Sequence, residues 1–159
     1  MHSFSTSLRA QSHALMGMAL EHAASTPAAD VPVAALIFDP EGRVIGRGVN
    51  RREADQNPLA HAEMLAIQEA LGRSGDGWRL SDCTMAVTLE PCTMCAGALV
   101  GARLGRLIFG AFEPKTGACG SVFDVIRDPM VMHRMEVLGG VREAECAELL
   151  ESFFRRLRS

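Results

Sequence analysis

No apolar stretch in this sequence approaches the roughly 20 residues that a bilayer-spanning helix needs, and Met1 to Ala10 lacks the basic start and long apolar centre of a secretory signal. A cytoplasmic protein with no membrane partner is expected. Prolines are few, 7 in all, and there is no low-complexity run, which excludes extensive disorder. Nor is there an excess of positive charge. The formal net charge of −3 argues against nucleic-acid binding by the surface as a whole, because clustered Lys and Arg drive such binding by releasing counterions. Local basic groups do exist: Arg51-Arg52, Arg103 with Arg106, Lys115 and Arg155-Arg156-Leu157-Arg158. Each alone reads as a solvated surface group, and they form a patch only if they meet in space. The cysteines are not even in number. Five of them, in a reducing compartment, point to metal binding or buried thiols rather than disulfides. Cys83, Cys119 and Cys146 have no paired spacing and are expected to be small core residues.

What is present is a chain of 159 residues, 48% of them hydrophobic, which fits one domain spanning 1–159. Phe4, Leu8, Leu15, Met16, Ala19, Leu20 and Ala23 recur at helical spacing and predict a first helix ending before Pro27. Val33 to Phe38, the turn Asp39-Pro40-Glu41-Gly42 and Val44 to Val49 read as a β-hairpin. A polar loop, Arg51 to Leu59, leads to a helix from about Ala60 to Leu71, stopped by Gly72 and the Gly75-Asp76-Gly77 turn. Then follow a buried strand at Thr84 to Leu89, a helix at Cys92 to Ala102 and a strand at Leu107 to Ala111. A Gly-rich loop from Glu113 to Gly120 precedes a short helix near Ser121 to Ile126, a strand near Met135 to Leu138 and a last helix from Arg142 to Arg158. Five strands separated by helices predict an α/β fold, a three-layer α/β/α sandwich around a central mixed sheet.

The chemistry lies where two of these helices start. Cys92 and Cys95 are three residues apart, so on a helix their sulfurs share a face and can hold one edge of a metal site. The helix N-terminus lowers thiol pKa and favours the thiolate that zinc requires. Taken alone, Cys92-X-X-Cys95 also fits a redox pair or half of a structural zinc site. His61 supplies a third ligand. No fourth Cys or His is suitably placed, since His2, His13, His22 and His133 have no ligand-like spacing, so one position is left for water. Glu63 is the natural partner for that water. Residues two apart on a helix do not share a face, so His61 and Glu63 converge only if the helix begins at the site.

His61-Ala62-Glu63 followed by Pro91-Cys92-Thr93-Met94-Cys95 resembles the signature of the zinc deaminases. The likeness extends through Asp30 to Ala35, Gly48-Val49-Asn50, Thr88 to Ala98, Lys115 to Ser121 and Phe153-Phe154-Arg155-Arg156. In order and spacing these segments are similar to the bacterial tRNA-specific adenosine deaminases of the cytidine/deoxycytidylate deaminase superfamily. The resemblance implies a cytidine deaminase-like fold and a homodimer with one Zn2+ per subunit. It also implies hydrolytic conversion of adenosine to inosine at the wobble position of a tRNA anticodon stem-loop. By the same resemblance His61, Cys92 and Cys95 hold zinc, and Glu63 is the catalytic proton carrier. Asn50 hydrogen-bonds the base, and the Ala62 amide faces the attacking oxygen. Val33, Glu113, Lys115 and Phe153 contact substrate. The alternative for Asn50 is a turn cap before Arg51-Arg52, and Phe112, Phe153 and Phe154 are aromatics available for stacking, although at helical spacing Phe153 or Phe154 also suits the core. Three positions depart from the family's familiar pattern. Ala34 replaces Gly and is expected to narrow the pocket floor, Glu113 replaces Asp, and Met132 replaces Asn.

Two other functions are compatible with the two motifs. One is deamination of a free base or nucleoside of guanine, cytosine or adenosine type, using the same zinc and Glu63. The other is a zinc-stabilised binding module without turnover.

Overall fold

The computed structural model describes residues 2–159, with side chains from Ser7 onward. His2 and Phe4 therefore lie outside the described side chains. The helices are α1 (His2–His22), α2 (Ala62–Ala70), α3 (Thr93–Gly101) and α4 (Glu143–Arg158). The strands are β1 (Ala34–Phe38), β2 (Val44–Val49), β3 (Thr84–Leu89), β4 (Arg106–Ala111) and β5 (Glu136–Leu138). They form one five-stranded sheet in the order β2-β1-β3-β4-β5. β1 pairs antiparallel with β2 and β3, whereas β3–β4 and β4–β5 are parallel.

Two-residue alternation along the strands sends side chains to opposite faces. Ala35, Ile37, Met85, Val87, Leu107 and Phe109 pack with Ala62, Ala66 and Ala70 of α2 and with Ala96 and Leu99 of α3. Leu36, Phe38, Ala86 and Ile108 pack with Met16 and Ala19 of α1 and Cys146 of α4. The result is the α/β/α sandwich expected from the element order. Cys83, Cys119 and Cys146 are buried, as their lack of paired spacing suggests, and all five cysteines are free. No helix among the described residues is long and apolar enough to cross a membrane.

The β1–β2 turn is built by its own side chain. Asp39 Oδ1 accepts the backbone N–H groups of Glu41 (3.0 Å) and Arg43 (2.9 Å), and Gly42 takes the φ of +84° that closes the turn. Two expectations differ from the structure, one in segment 113–127 and one at Ala34. The short helix expected near Ser121 to Ile126 is a single 3-10 turn at Val125–Arg127. The N–H groups of this stretch turn back on the preceding loop instead: those of Val122 and Phe123 donate to Gly117 O (both 3.0 Å) and that of Val125 to Ala118 O (2.9 Å). Ala34 does not touch the cleft described below. It clusters with Ala23 and Val49, whereas its neighbours Val33 and Ala35 pack on the α2/α3 side, so the expected narrowing does not occur.

β2 positions α2 by backbone contact. Gly46 and Gly48 both face the helix, and a Cβ added at Gly48 would come within 2.9 Å of Ala66 N. The helix that begins beside His61 therefore rests directly on the strand. Substituting Gly48→Ala is expected to push α2 outward at a cost of about 1–3 kcal/mol, lowering the melting temperature by several degrees and reducing bound zinc. Calorimetry with a zinc assay checks this, and an unchanged melting point with full zinc would refute it.

Candidate metal centre and its cleft

Each donor residue stands at a helix N-terminus. His61 precedes α2 in an extended conformation (φ −79°, ψ 152°) and is its N-cap, and Cys92 caps α3 in the same way (φ −75°, ψ 178°). The sequence reading placed both inside their helices; the helices begin one residue later, at Ala62 and Thr93. That offset resolves the geometry. His61 points off the helix end while Glu63, in the first turn, reaches the same cleft.

His61 Nδ1 lies 3.7 Å from Cys92 Sγ and 3.5 Å from Cys95 Sγ. Zinc bound at about 2.0–2.1 Å from nitrogen and 2.3 Å from sulfur, with tetrahedral angles, separates N and S by about 3.6 Å. The three donors therefore fit that ion. Among the described residues no fourth His, Cys, Asp or Glu joins this group, which leaves one coordination position for a water or substrate.

The protonation pattern follows from contact and burial. Cys92 is pulled down to about 4, first by the hydrogen bond from the Cys95 thiol and also by His61. Cys95 is pushed far up, because it is the donor to that thiolate and is buried. His61 is raised by its hydrogen bond to Cys92 against the opposing effect of burial. Glu63, only 5% exposed, has its carboxyl raised chiefly by burial, with the Cys92 charge acting the same way. A raised carboxyl pKa suits a group that must both take and give a proton near neutrality. The N-termini of α2 and α3 both meet here and favour negative charge.

The cleft beside these groups has a volume of about 150 Å³, and Val33, Asn50, Ala62, Glu63 and Glu113 line it together with His61 and Cys92. At about half the lower end of ordinary ligand pockets, it has room for one ring system rather than a whole nucleotide. Asn50 sits on the wall with part of its capacity already used. Its Nδ2 donates to Val31 O (3.1 Å) and its Oδ1 accepts Arg52 N–H (3.1 Å), so the turn-capping reading holds and one N–H remains for a ligand. Lys115 is exposed and lies outside the lining, next to Thr116, which belongs to it. Phe153 is not brought to the cleft. It is 4% exposed, in edge contact with Phe154, and lines a separate groove with Pro27, Pro32 and Leu149, while Phe154 is 43% exposed. His133 is held by Leu104 O at 2.6 Å, and Met132 is exposed with no structural consequence.

Arg52, Thr116 and Glu90 line the cleft without having been singled out for it from sequence. Glu90 is 2% exposed and, among the described residues, has no cationic partner within salt-bridge distance. Burial raises its carboxyl, but hydrogen bonds from Ser121, Glu113 and Cys119 outweigh that and hold it below the usual range. A glutamate ending the apolar run Met85 to Leu89 was the available signal.

Comparison with known proteins bears on this geometry. Residues 9–111 match the model of the cytidine and deoxycytidylate deaminase zinc-binding region. The chain is 46% identical over 129 residues to the tRNA-specific adenosine deaminase of Bacillus subtilis (strain 168), covering 81% of this chain and 79% of that one. It superposes with a TM-score of 0.77, at 40% identity, on a structure solved in studies of A-to-I editing by tRNA:A34 deaminases at the wobble position of transfer RNA. That match covers 86% of this chain and 98% of the other. It also resembles the guanine deaminase of Nitrosomonas europaea (TM-score 0.69, 31% identity, 89% and 83% of the two chains). The zinc-fitting donor triad, the buried glutamate beside it and these matches agree: the chain belongs to the zinc-binding cytidine and deoxycytidylate deaminase family, among the tRNA-specific adenosine deaminases.

Proposed function

We propose that the whole chain, 1–159, is one deaminase domain that converts adenosine to inosine at the wobble position of a tRNA anticodon loop. Its overall reaction is adenosine plus water to inosine plus ammonia. The reading is carried by one observation: His61, Cys92 and Cys95 converge with zinc spacing on a cleft sized for a single base, with Glu63 buried beside them. A cleft of that size takes a base turned out of its strand and leaves sugar and phosphates outside. His61, Cys92 and Cys95 would hold zinc, which would supply polarisation of a water that is otherwise a weak acid. Glu63 would accept one proton of the water and deliver it to purine N1 as the oxygen adds to C6, then take the second proton from that oxygen and pass it to the amine, which leaves as ammonia while the C6–N bond breaks and C6=O forms. The Ala62 amide, the first N–H of α2 and part of the cleft lining, would donate to the oxygen. Asn50 offers its remaining N–H to the base, and Val33 packs on it. Arg52 and Lys115 beside the mouth, with Glu113 and Thr116 on the wall, meet the flanking nucleotides. Phe153 acts at a distance, through the packing of α4.

The reading extends to a cytoplasmic homodimer. Val122, Phe123, Met130 and Met132 leave large apolar side chains exposed within residues 122–132, surface that a second copy would cover. A second reading, deamination of free guanine, is favoured by the likeness to the Nitrosomonas enzyme, because the cleft takes a base with or without its chain.

One experiment separates the two. Purified protein is incubated with an anticodon stem-loop bearing adenosine at the wobble position and, in parallel, with guanine. Inosine at that position and unchanged guanine are expected. Xanthine from guanine, with no inosine in the RNA, would replace the first reading by the second.

A further inference from the structure

Between the metal donors and the loop that forms the far wall of the cleft there is one buried carboxylate for which the deamination chemistry has no use. Glu90 closes β3, two residues before Cys92. Its backbone N–H donates to Ala111 O at 2.8 Å, which fixes it in the sheet. Its side chain turns into the loop that follows β4. Oε1 accepts the N–H of Glu113 at 3.1 Å and the Ser121 hydroxyl, and Oε2 accepts the N–H groups of Cys119 at 3.0 Å and Ser121 at 3.1 Å. Four donors from three residues, spread over nine positions of the chain, thus end on two oxygens.

The loop is shaped to allow this. Ala118 N–H donates to Pro91 O at 2.8 Å, and Cys92 and Gly117 form an isolated antiparallel bridge. At Gly117 a Cβ would come within 2.6 Å of the Glu90 carboxylate, so the backbone must pass there without a side chain. The two ends of the loop are therefore tied to one residue, and that residue is joined through Pro91 to the donor Cys92. Glu113 and Thr116, which the loop contributes to the cleft, take their places from this tie.

We propose that Glu90 is a positioning residue for substrate recognition, holding the 113–121 loop in register with the metal centre so that the cleft wall and the rim residue Lys115 meet the nucleotides around the target base. This rests on the proposed action on tRNA for its substrate, but not for the tie itself. The carboxylate is required because every group facing it is a donor. An amide would present an NH2 group to at least one of them and leave it without an acceptor.

The test compares wild type with Glu90→Gln and Ser121→Ala. It uses zinc-loaded protein, steady-state kinetics on the anticodon stem-loop, zinc content, and amide hydrogen exchange across 113–121. For Glu90→Gln the expected result is a KM raised about tenfold or more, kcat lowered by less than that factor, unchanged zinc, and faster exchange at Glu113, Cys119 and Ser121. Ser121→Ala removes one of four donors and should show a smaller shift of the same kind. It also keeps the proposal testable if Glu90→Gln does not fold. Unchanged KM and exchange in the variants would overturn it, as would loss of zinc with kcat at unchanged KM, which would make Glu90 a support of the metal site alone. If wild type does not act on the RNA, the tRNA reading fails, while the exchange data still decide whether Glu90 holds the loop.

Discussion

Glu63→Gln is expected to lower the deamination rate by about 10²–10⁴-fold, the usual contribution of a positioned general acid–base, with zinc content unchanged. The amide keeps the size and burial of the carboxyl but can neither take nor return a proton. The wild-type rate should also fall on the acid side, about tenfold per pH unit once Glu63 is protonated, and this limb begins above the ordinary carboxylate range because burial raises the group. Zinc measured across the same range separates this limb from metal loss. A stability effect of opposite sign accompanies it in the metal-free protein. With the folded pKa raised, the folded chain binds this proton more tightly than the unfolded one, so stability is lost as pH rises from the ordinary carboxylate value through the raised one. The metal-free glutamine variant should then melt at or above wild type at pH 7. A variant that keeps more than a tenth of the activity would remove Glu63 from the mechanism. Full ligand affinity with no turnover in wild type would instead favour a binding module.

The second large effect is removal of the metal. Stripping zinc with a chelator, or substituting Cys95→Ala, is expected to abolish activity and lower the melting temperature by on the order of 8–16 °C. An ion present at a thousandfold over its Kd stabilises by about 4 kcal/mol, and about 2–4 °C accompanies each kcal/mol in a chain of this size. The pH dependence of zinc affinity should be steep. Cys92 is already a thiolate at neutral pH, so uptake displaces protons chiefly from Cys95 and from His61, whose pKa is raised. Below the His61 pKa, affinity should fall toward a hundredfold per pH unit, and above it toward tenfold. Calorimetric melting with and without chelator, and competition titrations at several pH values, measure both. Retained activity and an unshifted melting point in zinc-free protein would rule out the zinc centre.

Much of this was legible in the residues. The apolar run Val33 to Phe38, the Asp39-Pro40-Glu41-Gly42 turn and Val44 to Val49 specify the hairpin because local hydrogen bonding decides it. The helices read from apolar spacing lie within a residue or two of their observed ends. His61, Cys92 and Cys95 were readable because metal donors have few substitutes. What escaped depends on contacts between distant segments. The N-cap placement of His61 and Cys92 shifts the start of α2 by two residues and that of α3 by one, changes periodicity does not detect. Gly46 and Gly48 look like ordinary strand glycines until α2 lies on them. The loop after β4 is shaped by Glu90, 23 residues or more away along the chain, which takes the N–H groups of Glu113, Cys119 and Ser121, while Val122, Phe123 and Val125 bond back to Gly117 and Ala118 rather than forming a helix. Phe153, named for stacking, packs into the body of the molecule instead, as apolar positions on amphipathic helices commonly do.

His61 and Cys92 are 31 residues apart, and the connection from α2 to β3, with Gly72 and Gly77 at positive φ, runs along the surface between them. With zinc in place this stretch becomes one side of a closed ring. A peptide bond cut at Arg73 or Arg79 would open the ring without parting the chain, because the metal would still join the fragment carrying α1 and α2 to the fragment carrying α3 and α4. The same ion that serves the chemistry would act as a rivet against proteolysis at the exposed connection.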